Sequence, residues 1–284
     1  MTVLLFAGMT LRELVRRRLV AAVAILTLVI VAFTAWGLHR LATTVIDGVP
    51  IAEPGVRATA AGIVMLLAFL FSFVIALGAA LAGAPALANE LANGEALALL
   101  ARPIRRADLV IGRWLGVLIA LVLYVAAAGG VELSVVRLTT GYVPPEPWVA
   151  LAYLCGLAAV VTTAAVALAT RLPAIAAGIV AALMFGLAWI AGIIESVGVA
   201  LGNQRLADSG TLVALVFPSD GLWRGALYAL QPAVFTAAVA TTNANNVNPF
   251  AVTSPPPVAL LIWSAGWVAV VLAAGVMLFR SRDL

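Results

Sequence analysis

The sequence predicts an all-α integral membrane protein. It comprises six transmembrane helices, an amphipathic helix along the interface before the first, and short outer-face helices between the fifth and sixth. Three observations carry this. Of 284 residues, 64% are hydrophobic and 10% charged, with a mean hydropathy of +1.16, whereas soluble domains hold about 45–50% apolar and ~25% charged residues. No single core could hide that much apolar surface. Six uninterrupted apolar runs reach the ~20 residues a helix needs to cross a hydrocarbon core of ~30 Å. None shows the alternation of a barrel strand.

The elements follow in order. In the stretch before the first run, Leu4, Leu11, Leu14 and Val15 group on one side of a helical wheel, with Arg12, Glu13 and Arg16 opposite. Residues 1–18 therefore read as an interfacial helix with its arginines near anionic headgroups, Glu13 pairing with Arg17 at (i, i+4). The spans are predicted at 19–38, 60–84, 114–136, 148–170, 174–201 and 258–279. Between the last two, 222–230 is apolar but carries Arg224 and precedes Pro232, so it reads with 212–217 as a short helix at the outer face. Residues 241–257, rich in Asn and Pro, read as an extended connector. The whole chain, 1–284, forms one membrane domain, with a cytoplasmic loop at 85–113 and an extracytoplasmic one at 202–257.

Charge sets the orientation and removes several functions. All 16 basic residues are arginines. Eleven fall in segments on the side of the N-terminus and five on the other, so both termini are expected in the cytoplasm. The arginines flank spans, so a pI near 10 reflects topology rather than nucleic-acid binding. Without lysine there is no P-loop and no Schiff-base chemistry. With one histidine, His39, and one cysteine, Cys155, neither a His/Cys metal cluster nor an intramolecular disulfide can form. His39 reads as an interfacial anchor, Cys155 and the tryptophans as packing, and Thr162 and Thr163 as bonding back to their own helix.

The segment 89–113 holds seven of the chain's 28 charged residues: Glu90, Glu95, Arg102, Arg105, Arg106, Asp108 and Arg113. Residues 90–100 can form a short helix that Pro103 ends, and Asp108 can cap the helix beyond. Such a kinked, charged exit suits docking to a soluble protein. The pattern Glu90, Gly94, Leu99-Leu100, Pro103-Ile104, Arg106, Gly112 and Gly116 resembles the membrane subunits of type-2 ABC exporters, and more narrowly the permeases of sodium-efflux and copper-enzyme-maturation systems. The chain departs from them at Ala101, where serine is common, and at Arg113, where lysine is common. Phe217-Pro218-Ser219-Asp220-Gly221-Leu222-Trp223-Arg224 resembles their Pro-x-Asp/Glu-aromatic-Arg stretch. The ending Phe279-Arg280-Ser281-Arg282-Asp283-Leu284 resembles their Phe-x-x-Arg-Asp.

The resemblance implies a non-catalytic permease subunit of an ATP-driven exporter in a bacterial cytoplasmic (inner) membrane. Its partners would be two copies of an ABC ATPase subunit and a second permease copy, most simply an identical one. ATP and Mg²⁺ would sit on the ATPase, with no cofactor in this chain. The loop after the second span would be the coupling helix, formed by Glu90, Gly94, Glu95, Arg102, Pro103, Ile104, Arg105 and Arg106. Glu90 and Glu95 would face basic residues of the ATPase, and Arg105 and Arg106 acidic ones.

Two acidic residues lie well inside apolar runs, Glu132 and Glu195. A carboxylate at membrane depth is costly and marks a functional candidate, so both are candidates for lining a pathway. The competing reading is a paired structural role, for Glu132 with Arg137. Two other classes stand beside the exporter. An ATP-independent channel or secondary carrier would favour broken helices with midplane ligands. An intramembrane enzyme would need a nucleophile beside a base, and Ser72, Ser134 and Ser196 have no base near them in sequence.

Overall fold

The computed structural model describes residues 2–16, 18–46, 49–92, 105–233, 235, 252 and 254–281. Among them are nine helices: α1 (Thr2–Arg16), α2 (Arg18–Thr43), α3 (Glu53–Ala92), α4 (Arg106–Thr140), α5 (Pro147–Ala169), α6 (Ala174–Ala200), α7 (Gln204–Val216), α8 (Ser219–Leu230) and α9 (Val258–Arg280). A two-residue antiparallel ladder, β1 (Val45–Ile46) with β2 (Val49–Pro50), joins α2 to α3. Helices α2, α3, α4, α5, α6 and α9 are long and apolar enough to cross a membrane. These are the six expected spans.

Local chemistry sets the boundaries. Pro147 opens α5, where its missing N–H goes unnoticed. Gly141, at φ 65°, closes α4 by donating its N–H to the Arg137 carbonyl. The Asn203 side chain caps α7 by accepting from the Leu206 N–H at 3.3 Å. The 40 residues of α3 and 35 of α4 exceed what a bilayer requires at 1.5 Å per residue. Both helices are therefore long enough to extend past the hydrocarbon.

Small residues bring the spans together. In α3, Ala76, Ala79, Ala80 and Ala84 are fully buried. A Cβ on Gly83 would lie 3.1 Å from the Ala165 Cβ of α5, and one on Gly178 of α6 would lie 3.3 Å from the Ala80 carbonyl. Such close approach lets dispersion hold helices together where lipid is as apolar as leucine. Toward the other end an aromatic group joins α3, α6 and α8. Phe69 meets Phe73, Trp189 and Trp223 at centroid distances of 5.0, 5.5 and 5.8 Å. Helix α2 remains peripheral, with only 6% of its apolar window buried.

The structure adds detail to two expectations. The short helices of the fifth-to-sixth connection are longer than predicted, Gln204–Val216 and Ser219–Leu230. Helix α8 packs on α5, with Leu222, Trp223 and Leu227 buried. In α1 the buried stripe is Phe6, Ala7, Thr10 and Leu14, while Leu4 and Val15 are exposed. The helix thus has two apolar faces: the one carrying Phe6 and Thr10 packs on the protein, and the one carrying Leu4 and Val15 stays exposed. Most of the proposed connector 241–257 lies outside the described residues.

Candidate functional site

Helix α1 lies along the first turns of α4, and two glycines make this possible. A Cβ on Gly112 would fall 2.5 Å from the Phe6 Cβ and 2.9 Å from the Val3 carbonyl. One on Gly116 would fall 2.6 Å from the Thr10 Cβ and 2.7 Å from the Ala7 carbonyl. The Gly-x-x-x-Gly face of α4 is thus a bed for α1. At the start of both helices, the Thr2 hydroxyl donates to Asp108 at 2.8 Å.

Arg113 stands between those glycines, with its side chain 5% exposed. Its guanidinium pairs with Glu90 on the last turn of α3, donates to the Thr10 hydroxyl at 3.0 Å and reaches Glu13 at 3.3 Å. One planar cation therefore joins α1, α3 and α4. The geometry uses the several fixed donors of arginine, which a lysine ammonium lacks.

The predicted coupling residues divide three ways. Gly94, Glu95, Arg102, Pro103 and Ile104 lie outside the described residues. Glu90 and Arg106 turn inward: Glu90 is buried against Arg113, and Arg106 donates to the Arg280 carbonyl at 3.1 Å. In this conformation the Glu90 carboxylate faces a partner within the chain, not an outside protein. Arg106 sits where the exposed carbonyls at the end of α9 favour a cation, and Arg171 adds a bond to Ser281 at 2.7 Å. Arg105, just before α4, is exposed. The α1 helix, the end of α3, the start of α4 and the end of α9 therefore share one arginine-rich face.

A second polar group lies toward the other end of the bundle. Asp220 and Arg224 pair at 2.7 Å along α8, and Arg224 also donates to the Gly192 carbonyl and, at 2.9 Å, to Ser196 of α6. The Asp220 carboxylate lies directly over Gly192, where no side chain would fit. Burial, opposed by Arg224 and reinforced by Glu195, pushes the Asp220 carboxyl up to about 7. The Asp-x-x-x-Arg of the motif thus fastens α8 to α6.

Of the intramembrane carboxylates, Glu195 accepts from Thr211 of α7 at 3.4 Å, and Glu132 hydrogen-bonds Thr34 of α2. Thr163 bonds its own helix through Ala159 at 2.6 Å, and Trp114 donates to it at 2.9 Å. Trp263 and Trp267 donate to the Leu215 and Val216 carbonyls, tying α9 to the end of α7. Sequence reasoning missed the meeting of Glu13 with Arg113, which are 100 positions apart. The one local signal was the pair of glycines flanking the arginine.

Fold and site together define a multi-pass helical membrane protein in which a buried polar cluster brackets one inter-span loop. The chain belongs to the ABC-2 family transporter proteins, whose family model matches residues 6–284. It is accordingly a permease subunit of an ABC transporter, in a family of transport membrane subunits with an ABC ATPase as partner. No curated relative matches the chain.

Proposed function

We propose that this chain forms the translocation pathway of an ATP-driven exporter as a pair of identical copies, each coupled to an ATPase subunit through the 85–113 loop. The arginine-rich face is then cytoplasmic, α1 lies in the interface there, and the membrane is a bacterial inner one. ATP and Mg²⁺ bind the ATPase, and this chain holds no cofactor.

The observation that supports coupling is the position of Arg113. The loop leaves α3 just after Glu90 and enters α4 just before Arg106. A force on the loop therefore meets the Glu90–Arg113 pair first, and Arg113 relays it to α1 through Thr10 and Glu13. Closure of two ATPases needs only to favour one arrangement of these three helices over another for transport to follow. In this reading Arg105, with Glu95 and Arg102, meets the ATPase, and Pro103 makes the turn. Glu90 and Arg106 hold the ends of the loop. Glu132 and Glu195 are the pathway candidates.

The test is co-purification with the cognate ATPase and reconstitution in vesicles. Arg105→Glu is cleaner than reversal at Arg106, which also holds α9. It is expected to weaken ATPase binding and permease-dependent ATP turnover. Arg113→Gln is expected to keep the ATPase bound while abolishing ATP-dependent changes in maleimide labelling of a cysteine placed at Glu195. Undiminished coupling in both variants, or pumping by the permease alone, overturns the reading.

A further inference from the structure

A cavity of about 140 Å³ opens between α2, α3, α4 and α5. Its walls are apolar, with Leu26 of α2, Phe71 of α3 and Leu154 of α5 among them. Three polar side chains reach it: Thr27, Tyr124 and Glu132. Thr27 and the Tyr124 hydroxyl bond each other at 2.8 Å, so that pair is satisfied. Glu132 is not: apart from its bond to Thr34, its Oε1 is buried with no hydrogen-bond partner among the described residues. Glu132 lies eight residues beyond Tyr124 on the same side of α4, about 12 Å along the axis. The cavity thus has a carboxylate toward one end and a closed phenol–hydroxyl pair toward the other.

We propose that this cavity binds a protonated alkylamine or a similar cationic amphiphile, its ammonium on Glu132 and its chain between Leu26, Phe71 and Leu154. A carboxylate oxygen with no donor in apolar surroundings is among the costliest arrangements in a membrane protein. A ligand that brings both an N–H donor and a positive charge relieves it, and the charge-assisted bond is stronger than one from a neutral donor. The walls take the hydrocarbon. The outer wall is α2, the least buried of the spans, so the ligand enters from the bilayer. This deepens the pathway reading of Glu132 and rests on it only for the consequence of binding. Occupancy is measured on the permease alone.

The experiment uses the full-length permease in phosphatidylcholine nanodiscs, with empty discs as blank. Radiolabelled octylamine, octanol and octanoate are titrated at neutral pH. Octylamine is expected to bind at one saturable site per chain, at least tenfold more tightly than octanol, with no saturable octanoate binding. Glu132→Gln should reduce octylamine to the octanol level, Glu132→Asp should retain most of it, and Leu26→Trp, which fills the cavity from α2, should weaken both amine and alcohol. Equal binding of amine and alcohol by the wild-type protein, or unchanged octylamine affinity in a folded Glu132→Gln variant, overturns the proposal. The head-group comparison on the wild-type chain decides even if the variants fail to fold. ATPase coupling lost with octylamine binding intact would instead count against the transport reading.

Discussion

Arg113 and Glu90 form a buried ion pair between the start of α4 and the end of α3, both side chains under 10% exposed, across the base of the 93–104 segment. Thr10 and Glu13 of α1 complete the surroundings of the guanidinium. The pair is local to the loop it closes, yet it also holds a helix about one hundred residues earlier in the chain. Removing the cation therefore acts on three elements at once.

Removing Arg113 leaves the Glu90 carboxylate buried without its cation, which costs about 3–5 kcal/mol, so Arg113→Met is expected to lower stability by that order in mild detergent, read by denaturant unfolding. Glu90→Gln leaves Arg113 with Glu13 and Thr10 and should cost less. The double variant Glu90→Leu/Arg113→Met should recover a large part, because no charge is then stranded. Glu13→Gln, at a side chain 47% exposed, should cost at most about 1 kcal/mol. Arg113→Lys keeps a cation beside Glu90 and should cost less than Arg113→Met, yet fall short of wild type, since an ammonium lacks the fixed planar donors that meet Thr10, Glu13 and Glu90 together.

The seat of α1 on α4 is set by hydrogen atoms at two positions. Gly112→Ala and Gly116→Ala push a methyl into backbone carbonyls as well as side chains of α1, and carbonyls of a helix cannot swing aside. Each should cost about 1–3 kcal/mol and release α1, seen as new proteolysis within the first 16 residues. Gly130→Ala, with nothing within 4 Å of its added Cβ among the described residues, should be neutral or stabilising by up to about 1 kcal/mol.

The spans were legible because a bilayer imposes length and apolarity on each helix separately, so a local count finds them. The start of α6 and of α9 was read correctly for that reason, helped by Pro173 and Pro257 just before them. What a helix touches is not local. The wheel of α1 groups Leu4 with Val15, both exposed, but only the glycines of α4 reveal that Phe6 and Thr10 face inward. Glu90 read as a docking charge because it precedes a polar loop, whereas its partner lies 23 positions on, past Pro103. Arg224 argued for a short helix over 222–230, which α8 covers, but its bond to the Gly192 carbonyl needed the fold.

The end of α9 depends on two arginines from elsewhere. Arg106 takes the carbonyls of Phe279 and Arg280, and Arg171 bonds Ser281. Phe279 itself is fully buried, while most of α9 is not, with 17% of its apolar window buried. Arg106→Ala with Arg171→Ala should speed hydrogen exchange at the last turn of α9 by about tenfold, for a loss near 1.4 kcal/mol. Amides of α8, fastened separately through Asp220, should not change.

Asp220 gives the fold an acid-stabilised element. Its carboxyl titrates near 7 in the folded chain against 3.8 unfolded, chiefly because it is buried, with Glu195 adding to the effect and Arg224 opposing it. Between those values the folded state holds the proton more often than the unfolded one, so stability falls as pH rises from about 4 to 7. The contribution is complete below the unfolded value and lost above the folded one, with a slope of at most about 1.4 kcal/mol per pH unit. Asp220→Asn fixes the neutral form and should remove this slope, although it also weakens the tie to Arg224. Unfolding of both proteins at pH 5 and pH 8 isolates the effect from all other titrating groups. The wild type should gain on the variant at pH 5 relative to pH 8. A difference that stays constant across that interval would show that Arg224 keeps Asp220 ionised throughout.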